Sequence, residues 1–122
     1  MATAKLILNK RHKNQNLITQ KGDGNRYPLI IRVYRKNELC EIPLKYKFLD
    51  TEWVDNRVHK SYANSKRANY AISRRVSIIN DLLLKHDRVI QTMDMQSVNK
   101  LLITELERIL EKEENPTLEV QE

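Results

Sequence analysis

Hydrophobic residues recur at every second position in three stretches near the start of the chain. Over 4–9, Leu6 and Leu8 fall on one side and Lys5, Ile7 and Asn9 on the other. This is the period of a pleated strand. In Tyr27–Tyr34, rich in β-branched and aromatic residues, Leu29, Ile31 and Val33 alternate with Ile30, Arg32 and Tyr34. In Leu39–Lys47, Cys40, Ile42, Leu44 and Tyr46 alternate with Glu41, Pro43, Lys45 and Lys47. Arg35-Lys36-Asn37-Glu38 between the last two runs has hairpin length, with Asn37 able to take positive φ and Arg35 and Lys36 exposed at its tip. Pro28 suits a first strand position, and Pro43, lacking an N–H, marks an edge or a bulge.

Further on, the period changes. Ala68, Ile72, Val76, Ile79 and Leu83 step by three and four, which predicts a helix over 66–90. Val98, Leu102, Leu106 and Ile109 predict a second from about Asp94 to Glu113, stopped by Asn115-Pro116. Residues 10–26, with Gly22 and Gly24, read as a loop. Residues 48–66 read as irregular, with a short helical turn at Asp50-Thr51-Glu52 before Trp53. The fold class is α+β: a three-stranded antiparallel sheet packed on one long helix, followed by a second, C-terminal helix.

Charge divides the chain. Its 122 residues carry 22 Lys+Arg and 16 Asp+Glu, net +6. Residues 1–90 hold 19 and 8 of these, whereas 91–122 hold 3 and 8. Two units are expected, a basic one over 1–90 and an acidic helical one over 91–122. A basic unit suits a polyanionic partner, because neutralised phosphates release counterions.

Other chemistry is sparse. Cys40 is the only cysteine, so no disulfide can form within the chain, and a small core residue in a cytoplasmic protein is the expectation. No apolar run approaches the roughly 18–20 residues that span a bilayer, so no membrane partner is expected. His12, His59 and His86 lack metal-ligand spacing, and no nucleotide-loop or nucleophile motif occurs. Neither a metal, a cofactor nor catalysis is expected.

One sheet face needs the helix; the other stays open. The open side is predicted to carry Lys5, Asn9, Arg32, Tyr34, Lys45 and Lys47, with Lys10 and Arg11 beside it. A short basic sheet of this kind can enter the DNA major groove.

The order of motifs resembles the N-terminal arm-type DNA-binding domain of tyrosine recombinases, the integrases of conjugative transposons and prophages. The matching pieces, over 4–90, are KLILNKRHK, YPLIIRVYR, CEIPLKYKF, EWVDNRVHK and ANSKRANYAI. The resemblance implies a three-stranded sheet on a helix that binds arm-type duplex sites in the major groove. It implies DNA contacts by Arg32, by Arg35 and Lys36 at the hairpin tip, and by Lys45 and Lys47. Lys5, Lys10, Arg11 and Tyr34 complete the candidate set. Trp53 is expected to pack beneath the sheet, away from DNA. The family's arginines, histidine and tyrosine nucleophile belong to a larger helical domain, so this chain is read as a non-catalytic part of a bacterial recombinase. Residues 91–122 are then a helical linker or the start of a core-binding domain, and a surface for further integrase copies. Glu38, Glu41 and the Gly-free hairpin turn depart from a uniformly phosphate-binding face.

Two other readings stay open. An adaptor protein would work through the acidic helical tail, with non-specific nucleic-acid affinity. An RNA-binding domain would need paired aromatics on its sheet, which are absent here.

Overall fold

The period-two runs form one antiparallel sheet in the order β1 (Thr3–Leu8), β2 (Tyr27–Arg35), β3 (Glu38–Phe48), in a computed structural model that describes residues 2–10 and 26–114. Leu6 pairs with Ile31 and Leu8 with Leu29, while Ile42 pairs with Ile31 and Cys40 with Val33. Residues opposite one another share a face. These therefore make one apolar surface, on which Ile31 and Val33 are fully buried.

Two helices cover it. α1 (Ser65–Lys85) packs on β1, and α3 (Met95–Glu114) packs on β3 and on α1, with the short α2 (Asp87–Thr92) joining them in the chain. Ile72, Ile79 and Leu83 of α1 enter one cluster with Val98, Leu102 and Leu106 of α3 and the inner sheet face. The predicted stripes are thus the buried ones, except that Val76 and Ile109 are only partly covered. Arg74 of α1 pairs with Glu113 near the end of α3, an exposed strap across the two helices.

The structure corrects several local expectations. The helix predicted over 66–90 ends at Lys85, because His86 (φ −107°, ψ 22°) leaves the helical region and α2 starts afresh. Neither Pro nor Gly signals that break. Residues 48–66 are not irregular throughout: β4 (Trp53–Val54) and β5 (Arg57–Val58) make a second small hairpin. Its turn residues Asp55 and Asn56 take φ of 54° and 62°, the left-handed pair that a two-residue primed turn needs. Asn69 ties this hairpin to α1. Its amide donates to Val58 O (3.0 Å) and accepts from Val58 N (2.8 Å), as a neighbouring strand would.

Trp53 stacks on Phe48 at 5.6 Å, and Tyr62 meets Phe48 edge-on at 4.9 Å. The expected turn at Asp50–Glu52 is a 3₁₀ turn, held by the Glu52 carboxylate, which accepts from Leu49 N (2.8 Å) and Arg26 (3.0 Å). In the first hairpin the positive φ falls on Lys36 (56°), where the sequence pointed to Asn37. Pro43 does sit on an edge strand beside a bulge: pairing slips between Pro28 and Ile30, and Lys45 absorbs the slip at φ 65°. Of the predicted loop over 10–26, only Lys10 and Arg26 are among the described residues, and Asn115-Pro116 lies outside them.

Two outcomes are expected from this core. Phe48→Ala removes the ring on which Trp53 and Tyr62 pack and should cost about 3–5 kcal/mol in a chemical denaturation experiment. Burial pushes the Cys40 thiol up from its ordinary value. A thiol reagent at pH 8 should therefore label the folded protein at least about tenfold more slowly than the unfolded chain.

Candidate nucleic-acid interface

The side of the sheet away from the helices follows from the register. Thr3, Lys5 and Ile7 of β1 lie opposite Tyr34, Arg32 and Ile30 of β2. On the other flank Tyr34 faces Leu39, Arg32 faces Glu41, Ile30 faces Pro43 and Pro28 faces Lys47. Lys5, Lys45 and Lys47 are exposed, Arg32 and Tyr34 half-buried. Ile30 is buried between Ile7 and Pro43 and gives this face a firm floor. The predicted cations Lys5, Arg32 and Lys47 thus share one surface with Tyr34, whereas Lys45, unpaired in the bulge, lines a groove with Arg75, Leu106 and Leu110 beside α3.

Arg32 is its centre, midway along the middle strand. Nε and Nη2 both donate to Glu41 Oε2, at 3.0 and 2.7 Å. Glu41 first, and the Tyr34 hydroxyl after it, hold the guanidinium more firmly protonated than an ordinary arginine. The acid that fitted the face least well is therefore charge-matched by its cross-strand neighbour. Glu38, the other misfit, bonds Arg35 Nη2 at 2.6 Å on the inner side of the sheet.

Arg35 is the main correction among the candidate residues' positions. Expected at an exposed tip, it is only 8% accessible. Its side chain follows Leu29, Ile31 and Val33 onto the inner face. There Nη1 donates to Ile90 O at 2.6 Å and also to Met93 O. These carbonyls lie at the end of α2, where no further helical turn supplies N–H groups to donate to them. The guanidinium thus fastens the first hairpin to the junction before α3. Lys36 remains exposed at the tip, as expected. Lys10, just past β1, pairs with Asp50. Arg11 lies outside the described residues. Trp53 packs on the core side, away from the open face.

Other chemistry is thin. Among the described residues no group of His, Cys, Asp and Glu could hold a metal ion, and no helix is long and apolar enough to cross a membrane. His59 accepts from Ser61 N at 3.1 Å within a turn. The groove between β1, the second hairpin and α1 is lined by Asn56, Arg57, Asn69, Ser73 and Asp81 among others, with neither histidine nor cysteine.

Two missed features could have been found. The parity of Leu29, Ile31 and Val33 already placed Arg35 inward, and Asp55-Asn56 between valines is a hairpin signal.

A family model described as "Arm DNA-binding domain" matches residues 6–99, from the second half of β1 through β2, β3, α1 and α2 to the first turn of α3. No curated protein and no solved structure matches the chain.

The two tip residues should separate in a stability measurement. Arg35→Ala strips Ile90 and Met93 of their donor and should cost about 2–4 kcal/mol. Lys36→Ala should stay within about 0.5 kcal/mol of the parent.

Proposed function

Because this chain belongs to the arm DNA-binding domain family, the type found at the N-terminus of tyrosine recombinases, we propose that its open sheet face recognises a specific duplex DNA site from the major groove. The observation that carries this reading is the division of the sheet. One face is sealed by helices, and the other carries Lys5, Arg32, Tyr34 and Lys47 with, among the described residues, a single acid, paired to Arg32. Lysines at the margin and at the hairpin tip, Lys36 among them, take phosphates and fix position. Arg32, central and held in place, reads base edges. Lys10 and Arg11 at the end of β1 extend the phosphate contacts.

In this reading the chain is the recognition part of an integrase acting on a mobile element, and it contributes no catalytic group. Arg35 works from inside, by holding the hairpin against the junction before α3. Residues 91–122 form the connection toward the recombinase's core-binding domain. Further integrase copies would meet α3 through its exposed acidic residues, Glu107 and Glu114 among them, since Val98, Leu102 and Leu106 are engaged in the core.

Fluorescence anisotropy with duplex DNA across a salt series tests the proposal. With five or six phosphates neutralised, log K should fall against log salt with a slope near about −5; a flat dependence contradicts it. Arg32→Ala should weaken the preferred duplex by about 1–3 kcal/mol and a random duplex much less. An equal loss on both would make Arg32 a phosphate contact.

A further inference from the structure

Glu41 is the only carboxylate that the register places on the open face among the described residues. On a surface that must approach a polyanion it is a cost, since like charges oppose association. Stability gives it little reason to be there. The Arg32 and Glu41 side chains are 26% and 38% accessible, and an ion pair so exposed adds little to folding.

Its geometry suits another purpose. Both bonds from Arg32 to Glu41 fall on Oε2 and come from Nε and Nη2, so they engage neither Oε1 nor Nη1. The major groove offers complementary groups in one kind of step. Guanine presents O6 and N7 as acceptors for a guanidinium, and cytosine presents its N4 amino group as a donor with an acceptor, the paired guanine O6, on one side only. Adenine also offers an amino group, but it is flanked by acceptors on both sides, its own N7 and the paired thymine O4. Directly opposed side chains on a sheet stand about 4.5–5.5 Å apart at Cβ, within reach of neighbouring base pairs stacked at about 3.4 Å.

We infer that Arg32 and Glu41 act as one reading unit for two consecutive G·C pairs, Arg32 on a guanine and Glu41 on a cytosine amino group. This rests on the open face being the DNA interface. Glu41 then has two effects: it accepts from cytosine in the right site and repels phosphate elsewhere. It is a specificity-determining residue whose presence lowers non-specific affinity. Tyr34 and Leu39, the next cross-strand pair, flank the unit on the side of the hairpin tip and offer apolar surface for a thymine methyl.

Selection from a randomised duplex pool with the parent protein and with Glu41→Gln tests the inference. Gln keeps the size of the side chain and can still accept from Arg32, so the sheet is retained; thermal unfolding of both proteins checks this. The parent should enrich sites with two adjacent G·C pairs. Glu41→Gln should lose the preference at the cytosine position and bind random duplex roughly two- to fivefold more tightly, the scale of one exposed charge interaction. A parent motif without such a step, no motif at all, or an unchanged motif in Glu41→Gln would overturn the inference while salt-dependent duplex binding left the functional reading intact. Absence of any duplex binding would remove both.

Discussion

The inner surface of the sheet, Leu29, Ile31 and Val33 on β2 with Ile42 and Leu44 on β3, has to leave water, and a strand has only two faces on which to put its side chains. Burial of that surface against α1 and α3 supplies the main favourable term available to a chain this size. Everything else is arranged around it. Because both helices sit on one side, the other side of a three-stranded sheet is left to solvent. Because β2 is central, whatever its outward positions carry stands in the middle of that solvated face. Arg32 occupies this place by parity with Ile30 and Tyr34, as Arg35 is carried inward by parity with Val33.

The same constraint accounts for how charge is used. Inside, the cation of Arg35 meets the carbonyls of Ile90 and Met93 and the carboxylate of Glu38, so its burial is compensated. Outside, Glu41 is matched by Arg32, which leaves the lysines to set the sign of the surface. Of the acidic residues of α3, Glu107 borders the groove between that helix and β3, and Glu113 is paired with Arg74 of α1. A chain that is basic in front and acidic behind thus becomes a molecule whose sheet side suits a polyanion. The family match over residues 6–99 says which polyanion.

Much of this was legible in the sequence, because the features that matter here are periodic. Alternation over Tyr27–Tyr34 and over Leu39–Leu44 matched the faces of the sheet as far as the bulge, and the stripes of α1 and α3 named most of the helical core. What escaped were non-periodic features. The break at His86 leaves no trace in a stripe that continues from Leu83 to Ile90, seven residues on and in phase. The clamp made by Asn69 on Val58 depends on tertiary placement of two segments that are separate in the chain. The slip at Lys45 was hinted at by Pro43, but its positive φ was not. Arg35 was misplaced for a different reason: its charge was read as exposure although its parity said otherwise. The carbonyls that satisfy it come from 55 and 58 residues away, beyond any local pattern.

DNA recognition by this chain rests on the outer face of β1, β2 and β3 being the surface that meets the duplex. Backbone and side-chain NMR shifts of the labelled protein, followed during titration with a duplex drawn from a pool that it enriches, test this directly. The largest changes should fall at Lys5, Arg32, Tyr34 and Lys47, with the outer side of α3 unmoved. Changes centred on Glu107 and Glu114, with the sheet resonances unaltered, would contradict it.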